Sequence, residues 1–428
     1  MKKTQMLLSC WLLIAPFCAA QKMTAPQLIE MSRREPTSTA FQQALVNSLG
    51  AAEIKKGIAV LGEGPDFIWA IELERQQAKF PVLMVDDRRV GPLQRAGGTL
   101  WFMTGRLTTG AAHAFHYLVE DVRWGGRNDV PAYGPDSYTK PGVPQGTLSD
   151  KIVHTSRIYD GMTSEYWTYV PAQYDPKAGA ALMVWQDGEG FMIRDGSSRL
   201  LSVTDNLIHQ KKIPVMIHVM IRPGTIGERR MRSIQYDTVN DRYARFLRDE
   251  ILADVQAKYN IRRDSYSRGI AGQSSGGICA FNVAWQQPDQ FSRVLSRIGS
   301  FTSIQWRFGQ PDPKENIEGG NVYPNKVRKE PKRNIRVWLD DGSEDLENDH
   351  GSWPLQNIQL ANSLKMKNYD FRFSFGGGTH STAHGNAELP DALTWLWRDY
   401  DLSKTEQVYE MEAGEKGKPL FRVRIYNR

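Results

Sequence analysis

Hydrophobic and polar positions follow two different rhythms along this chain. Up to about residue 122 the apolar runs are short and alternating, at 67–71, 80–85, 99–103 and 114–119, with Gly and Asp turns between them. Successive side chains on a strand face opposite ways, so these runs predict half-buried strands gathered into a small β-sandwich. Residues 25–49 ahead of them read as a helical start. From about residue 151 the rhythm becomes strand, helix, strand. Residues 181–185 and 213–221 are near-continuous apolar runs, the pattern of parallel strands covered on both faces. Residues 200–212 between them read as a helix. Tyr243, Phe246, Leu247, Ile251, Val255 and Tyr259 recur at three- and four-residue spacing, which predicts one helix over 240–259. Strands ending at Ala271 and covering 293–298, 335–339 and 371–375 alternate with helices ending before Pro288, over 354–367 and through Trp397. This order predicts an α/β fold with a mainly parallel, doubly wound sheet, whose chemistry belongs on the loops after the strand C-termini.

The two rhythms meet at 123–150, where five Gly and four Pro interrupt every regular pattern. The expected organisation is therefore a β-sandwich domain over 21–122, a Gly/Pro linker over 123–150 and an α/β domain over 151–428. Residues 1–20 read as a secretory signal: Lys2 and Lys3 open it, 6–15 is its apolar stretch, and Cys18-Ala19-Ala20 is a small-residue cleavage site. Leu7-Leu8-Ser9-Cys10 offers a lipidation pattern as the alternative to cleavage.

Composition narrows the classes. The chain has 428 residues, 40% hydrophobic and 24% charged, which excludes a disordered or collagen-like chain. Lys+Arg number 54 against 48 Asp+Glu, a formal +6, and removing Lys2 and Lys3 leaves 52 against 48. The charges are interspersed, so no basic stripe speaks for nucleic acid. No later stretch approaches the ~18 apolar residues of a membrane span, so stable membrane insertion is not expected. Cleavage would leave Cys279 as the one cysteine, with no internal disulfide and no cysteine-rich metal site.

Gly272-Gln273-Ser274-Ser275-Gly276 fits a GxSxG nucleophile elbow, with an apolar strand before it and an amphipathic helix after it. A serine hydroxyl needs a base to take its proton and a carboxylate to orient that base. In hydrolases of this architecture the chain order is Ser, acid, His, and only His350, His380 and His384 follow Ser274. His380, after 371–375 and the Gly376-Gly377-Gly378 triplet, is the expected base, with His384 second. The loop after 335–339 reads Asp340-Asp341-Gly342-Ser343-Glu344-Asp345; Asp345 is the expected acid and Asp341 the alternative. The oxyanion of an acyl-transfer intermediate needs two backbone N–H donors. Ser275 supplies one, and Gly188 or Glu189, in the loop after 181–185, the other. Arg222, Arg229, Arg230 and Arg232 cluster after 213–221, where Arg222 and Arg232 are candidates for holding an anionic part of a substrate. His380 and His384 also have the spacing of two metal ligands on a helix, but the neighbouring glycines and the absence of an intervening Glu argue against metal hydrolysis.

With these residues in view, the sequence resembles the enterochelin esterase-like, esterase D-type branch of the α/β-hydrolases, whose relatives include the feruloyl and acetyl-xylan esterases of carbohydrate esterase family 1. The resemblance rests on 166–171 (YWTYVP), 183–188 (MVWQDG), 272–277, Gly342-Ser343-Glu344-Asp345, Gly378-Thr379-His380 and Trp395-Leu396-Trp397, and it covers about 147–400. It implies a triad of Ser274, Asp345 and His380 and, more loosely, an immunoglobulin-like N-terminal domain. Arg232-Ser233-Ile234-Gln235-Tyr236 is similar to the family's Arg-x-x-Glu segment, with Gln235 where Glu is usual, so a charged Arg–Glu pair there is in doubt.

The expectation is a secreted or periplasmic serine carboxylic-ester hydrolase, without cofactor or metal, acting on a small-molecule or oligosaccharide ester that is carbohydrate-linked or phenolic. A siderophore trilactone esterase is the alternative, and a non-catalytic carbohydrate-binding protein is the alternative of another class. Homo-oligomer formation is left open by the sequence.

Overall fold

A computed structural model of the chain describes residues 22–74, 78–305 and 319–423. The expected leader, 1–20, lies outside the described residues. The chain divides into two compact units whose segments interleave: Met1–Leu83, Gly91–Gly105 and Tyr117–Gly125 form one, and Met84–Val90, Arg106–His116 and Gly126–Arg428 the other.

In the first unit the predicted alternation yields an antiparallel sheet, in the order Ala59–Glu63, Asp66–Glu72, Leu100–Arg106, Gln94–Gly97. The predicted helical start is three helices, Ala25–Arg34, Thr39–Leu49 and Ala51–Lys56. Their apolar faces bring Leu28, Phe41, Leu45 and Ile54 onto Ile68, Ala70 and Phe102 of the sheet. A second antiparallel sheet runs in the order Arg88–Pro92, Val82–Val85, Ala111–Val119, Val122–Ala132. Its last strand corrects the linker expectation, because it runs straight through Gly125, Gly126 and Pro131. Only from Tyr133 is the predicted linker largely irregular, apart from a single 3-10 turn, Pro135–Ser137, and the strand Thr147–Leu148.

The second unit holds the predicted parallel sheet. Six strands lie parallel in the order Met216–Ile221, Ala181–Gln186, Arg268–Gln273, Arg293–Arg297, Arg336–Glu344, Asp370–Thr379. Thr163–Val170 adds antiparallel on the Met216–Ile221 side. Alternate residues feed two cores, as a two-residue period requires. Leu182 and Val184 join Ile270, Val294, Val337 and the helix Ser275–Gln286 on one face. Met183 and Trp185 join Ala271, Leu295, Trp338 and the helices Leu200–His209 and Leu389–Leu396 on the other.

Three elements differ from the pattern-based expectation. The helix predicted over 240–259 is broken into Arg242–Phe246, a wider π turn Leu247–Ile251 and Leu252–Lys258. Buried Glu250 sits in that wide turn and accepts the Arg157 and Ile158 amides at 2.9 and 2.8 Å. The strands Arg336–Glu344 and Asp370–Thr379 outrun their apolar cores, because their ladder pairs Asp340 with Ser374, Asp341 with Phe375 and Gly342 with Gly376. Asp340, Asp341 and the Gly376-Gly377-Gly378 triplet are therefore strand residues, not loop residues.

The chain leaves Ala181–Gln186 for a neighbour on one side, Met216–Ile221, and then returns to its other side with Arg268–Gln273. The order of the sheet reverses at that point, which in open α/β sheets is where ligands bind beyond the strand C-termini. The loops beginning at Asp187 and Ser274 flank it.

Candidate active site

Ser274 follows the strand Arg268–Gln273 and precedes the helix Ser275–Gln286, with φ 57° and ψ −125°. That backbone region is costly for a residue with a Cβ and persists only when its surroundings hold it. Here the Ser274 N–H donates to the Arg297 carbonyl at 2.9 Å, and its own carbonyl accepts from Gly277 and Ser300 at 2.9 and 3.1 Å. Gly272 is required by space: a Cβ there would sit 2.1 Å from the Gly276 carbonyl oxygen. The hydroxyl of Ser274 is thereby presented partly exposed at the sheet edge.

The structure brings the three expected side chains together. The Ser274 hydroxyl lies 2.8 Å from His380 Nε2, and His380 Nδ1 lies 2.5 Å from Asp345 Oδ1. This separates the alternatives that the sequence left open. His384 faces away, with Nε2 3.2 Å from the Ser374 hydroxyl and 3.4 Å from Glu388. Asp341 is not the carboxylate that meets the imidazole; its Oδ1 accepts the Gly342 amide at 2.8 Å. Burial pushes the Asp345 carboxyl up, but its hydrogen bonds with His380, Asp341 and the Leu346 amide outweigh that and hold it below the usual carboxylate range.

The expected oxyanion donors open the segments that follow the strands Ala181–Gln186 and Arg268–Gln273. Ser275 is the first residue of its helix, where an N–H has no intrahelical acceptor. Asp237 accepts the Ser233 hydroxyl at 2.7 Å, and burial pushes its carboxyl up to about 6. Gly188 opens a 3-10 turn, Gly188–Phe191, after Asp187 in the left-handed region (φ 55°, ψ 47°). A Cβ on Gly188 would lie 2.3 Å from the Met220 backbone, so only glycine lets this loop pack onto the neighbouring strand.

Arg232 shapes that loop. Its Nε and Nη2 bind the two carboxylate oxygens of Asp187 at 2.7 and 2.8 Å, a bidentate pair, and the Asp187 N–H donates to the Tyr236 hydroxyl at 3.3 Å. The charged pair that Gln235 put in doubt is present with Asp187 as its acid, while Gln235 accepts the Gly224 amide at 2.7 Å. Arg222 is paired as well, with Glu165 at 3.0 Å and Glu189 at 3.7 Å. Together with Arg230 these residues line a cavity of about 460 Å³ beside the Asp187 loop. A second, mainly apolar cavity of about 440 Å³ is lined by Pro214, Val215, Trp397 and Tyr400, at the strand-entry edge away from Ser274.

Sequence reasoning missed three residues here. The Ser300 hydroxyl lies 3.3 Å from that of Ser274 and accepts the Trp353 indole N–H at 3.1 Å. The Trp353 ring meets the His380 imidazole edge-on, centroids 5.6 Å apart. Asp129, on the strand mistaken for linker, accepts both the Thr379 amide (3.1 Å) and the Thr379 hydroxyl, next to His380. Ser and Trp are too common to signal such roles. Asp129 had no local signal, being 250 residues from its partner; its φ of 55° is visible only in the fold.

Solved structures share this architecture. Enterobactin esterase from Shigella flexneri matches at 17% identity and a TM-score of 0.52, over 85% of this chain and 99% of that one. Ferric enterobactin esterase from Salmonella typhimurium matches at 16% and 0.50, over 80% and 97%. A ferulic acid esterase from Anaeromyces mucronatus matches at 17% and 0.46, over 61% and 94%. The first two agree with the α/β fold with a mainly parallel central sheet and N-terminal antiparallel sheets. Among the described residues no helix is long and apolar enough to cross a membrane. The family model described as "Putative esterase" matches residues 163–396, more than half of the chain and the whole stretch from the antiparallel strand through His380, so the chain belongs to this esterase family and acts on esters.

Proposed function

We propose that this protein is a serine carboxylic-ester hydrolase working through an acyl-enzyme. The observation that carries the reading is the run of contacts Ser274–His380–Asp345, at 2.8 and 2.5 Å, on a strained elbow at the sheet's reversal point. In this reading Ser274 Oγ attacks the ester carbonyl carbon while His380 Nε2 takes its proton. Asp345 fixes the imidazole so that Nδ1–H points to the carboxylate and Nε2 to the serine. The oxyanion is held by the Ser275 and Gly188 amides, where loss of one donor typically costs about 3 kcal/mol of barrier. The tetrahedral intermediate collapses as His380 protonates the leaving alkoxide. Water then attacks the acyl-enzyme, with His380 again as base, and releases the acid and Ser274.

For substrate, the expected carbohydrate-linked or phenolic ester is kept as the first reading, with the cavity beside Asp187 as acyl or alcohol pocket. The siderophore-type trilactone is a second reading, favoured by Arg222, Arg230 and Arg232 lining that cavity. Arg222 and Arg232 are already carboxylate-paired, so an anionic group would have to share them. Export is part of the proposal and rests on the leader pattern of residues 1–20. The test is a panel of p-nitrophenyl acetate, feruloylated and acetylated oligosaccharides and a catecholate trilactone. Hydrolysis of at least one, lost in Ser274→Ala, is expected; full activity in that variant would overturn the Ser274 mechanism, and hydrolysis of none by the unaltered chain would leave the non-catalytic alternative standing.

A further inference from the structure

The mechanism above uses one oxygen of Asp345 and leaves the other without a donor. Asp345 Oδ1 takes both His380 Nδ1–H and the Leu346 amide, each at 2.5 Å. Its Oδ2 is buried and receives no N–H or neutral O–H, and the same holds for Asp341 Oδ2. The chain turns back between them, the Asp345 N–H donating to the Gly342 carbonyl at 3.2 Å, which leaves the two carboxyls within reach of a shared hydrogen bond. A hydrogen bond between two carboxyl groups requires a proton on one of them, because two carboxylates offer only acceptors. Asp345 already faces two donors that favour its charge. Asp341 faces only the Gly342 amide and lies near the Asp340 carboxyl in a buried stretch of strand. The proton therefore belongs on Asp341.

We propose that Asp341 is a positioning residue, a neutral carboxylic acid whose O–H donates to Asp345 Oδ2 and so locks Asp345 with its other oxygen on His380. The inference rests on the triad reading above. Burial and then the Asp345 partner push the Asp341 carboxyl up to about 10, in keeping with a proton held throughout the neutral range. The charged groups around the strand end are accounted for: Asp340 lies against Arg297 at 3.7 Å, and His384 against Glu388 at 3.4 Å. Neither Arg297 nor His384 reaches Asp341 as a hydrogen-bond partner.

The test compares Asp341→Asn with Asp341→Val in the full chain, reading the pH profile of kcat/KM on p-nitrophenyl acetate. An amide can donate to Asp345 as the acid does, so Asn is expected to restore what Val removes: kcat within about threefold and an acid limb at the unaltered pH. Val leaves Asp345 Oδ2 without a donor, so kcat should fall about tenfold or more. The acid limb should then move up by about half a pH unit or more, because an unshared carboxylate stabilises the histidinium more strongly. A downward shift in Asn would mean that Asp341 is ionised, and an unshifted limb in Val would mean a purely structural role; either overturns the proposal. Carboxyl ¹³C titration of Asp-labelled protein reads the same proton without any activity. A resonance that stays protonated from pH 5 to 8 and is lost in Asp341→Asn is expected. Its absence defeats the inference while leaving the esterase reading intact, whereas unimpaired hydrolysis by Ser274→Ala defeats the esterase reading alone.

Discussion

Ser274 joins two demands in one residue, because the geometry that exposes its hydroxyl is also strained. A non-glycine residue at φ 57°, ψ −125° costs about 1–3 kcal/mol. Two inactive variants separate the demands. Both Ser274→Ala and Ser274→Gly should lower kcat by roughly four orders of magnitude or more, as loss of a triad nucleophile does. Urea denaturation should then find the Gly variant more stable than the Ala variant by about 1 kcal/mol, since only glycine relaxes there; equal midpoints would mean that the elbow stores no strain. Legibility at this scale followed sequence separation. Ser274 announces itself through Gly272 and Gly276, one on either side, and His380 through elimination among three histidines. The proton on Asp341 was hidden in a run with four acidic residues, because it depends on which carboxyls a strand buries together.

At the scale of elements, the parallel strands were readable because burial on both faces demands unbroken apolar runs, and Ala181–Gln186 and Met216–Ile221 are buried at every position. Strand ends were less readable. Asp340, Asp341 and three glycines look like loop, yet pairing between neighbouring strands keeps them extended. The same blindness turned Val122–Ala132 into a linker and concealed Asp129. That aspartate ties its strand to the turn carrying His380, so Asp129→Ala should lower kcat about tenfold with KM and the circular dichroism spectrum little changed. A KM effect of equal size would instead place Asp129 in substrate binding. Arg232 has a comparable task on the other wall. Arg232→Lys keeps the charge but forfeits the bidentate grip on Asp187, and kcat is expected to drop about tenfold as the Gly188 amide loses its setting; an unchanged kcat would separate this pair from the oxyanion loop.

The whole molecule carries an uncommon set of buried titratable groups. Burial pushes Asp237 up to about 6, burial and the Asp340 charge push Glu388 up to about 8, and Asp341 is up at about 10. Each is protonated in the fold at a pH where the unfolded chain would ionise it. Their contribution is fully present below about pH 4 and is lost as pH rises through those values. Buried His218, pushed down to about 3 by burial, works the other way and lowers stability as pH falls from about 6.5. Between pH 6.5 and 8 the carboxyls dominate, at up to about 1.4 kcal/mol per pH unit for each group still protonated. The urea midpoint should therefore fall from pH 6.5 to 8, and Glu388→Gln should flatten that slope; a midpoint that rises over this range would refute the reading. One further consequence follows from the bond between Asp129 and Thr379, which spans 250 positions. During synthesis the elbow at Ser274 emerges more than a hundred residues before the turn that bears its base. A growing chain can thus hold a folded nucleophile that is still chemically silent, and hydrolysis begins only when the last parallel strand closes against a segment made long before.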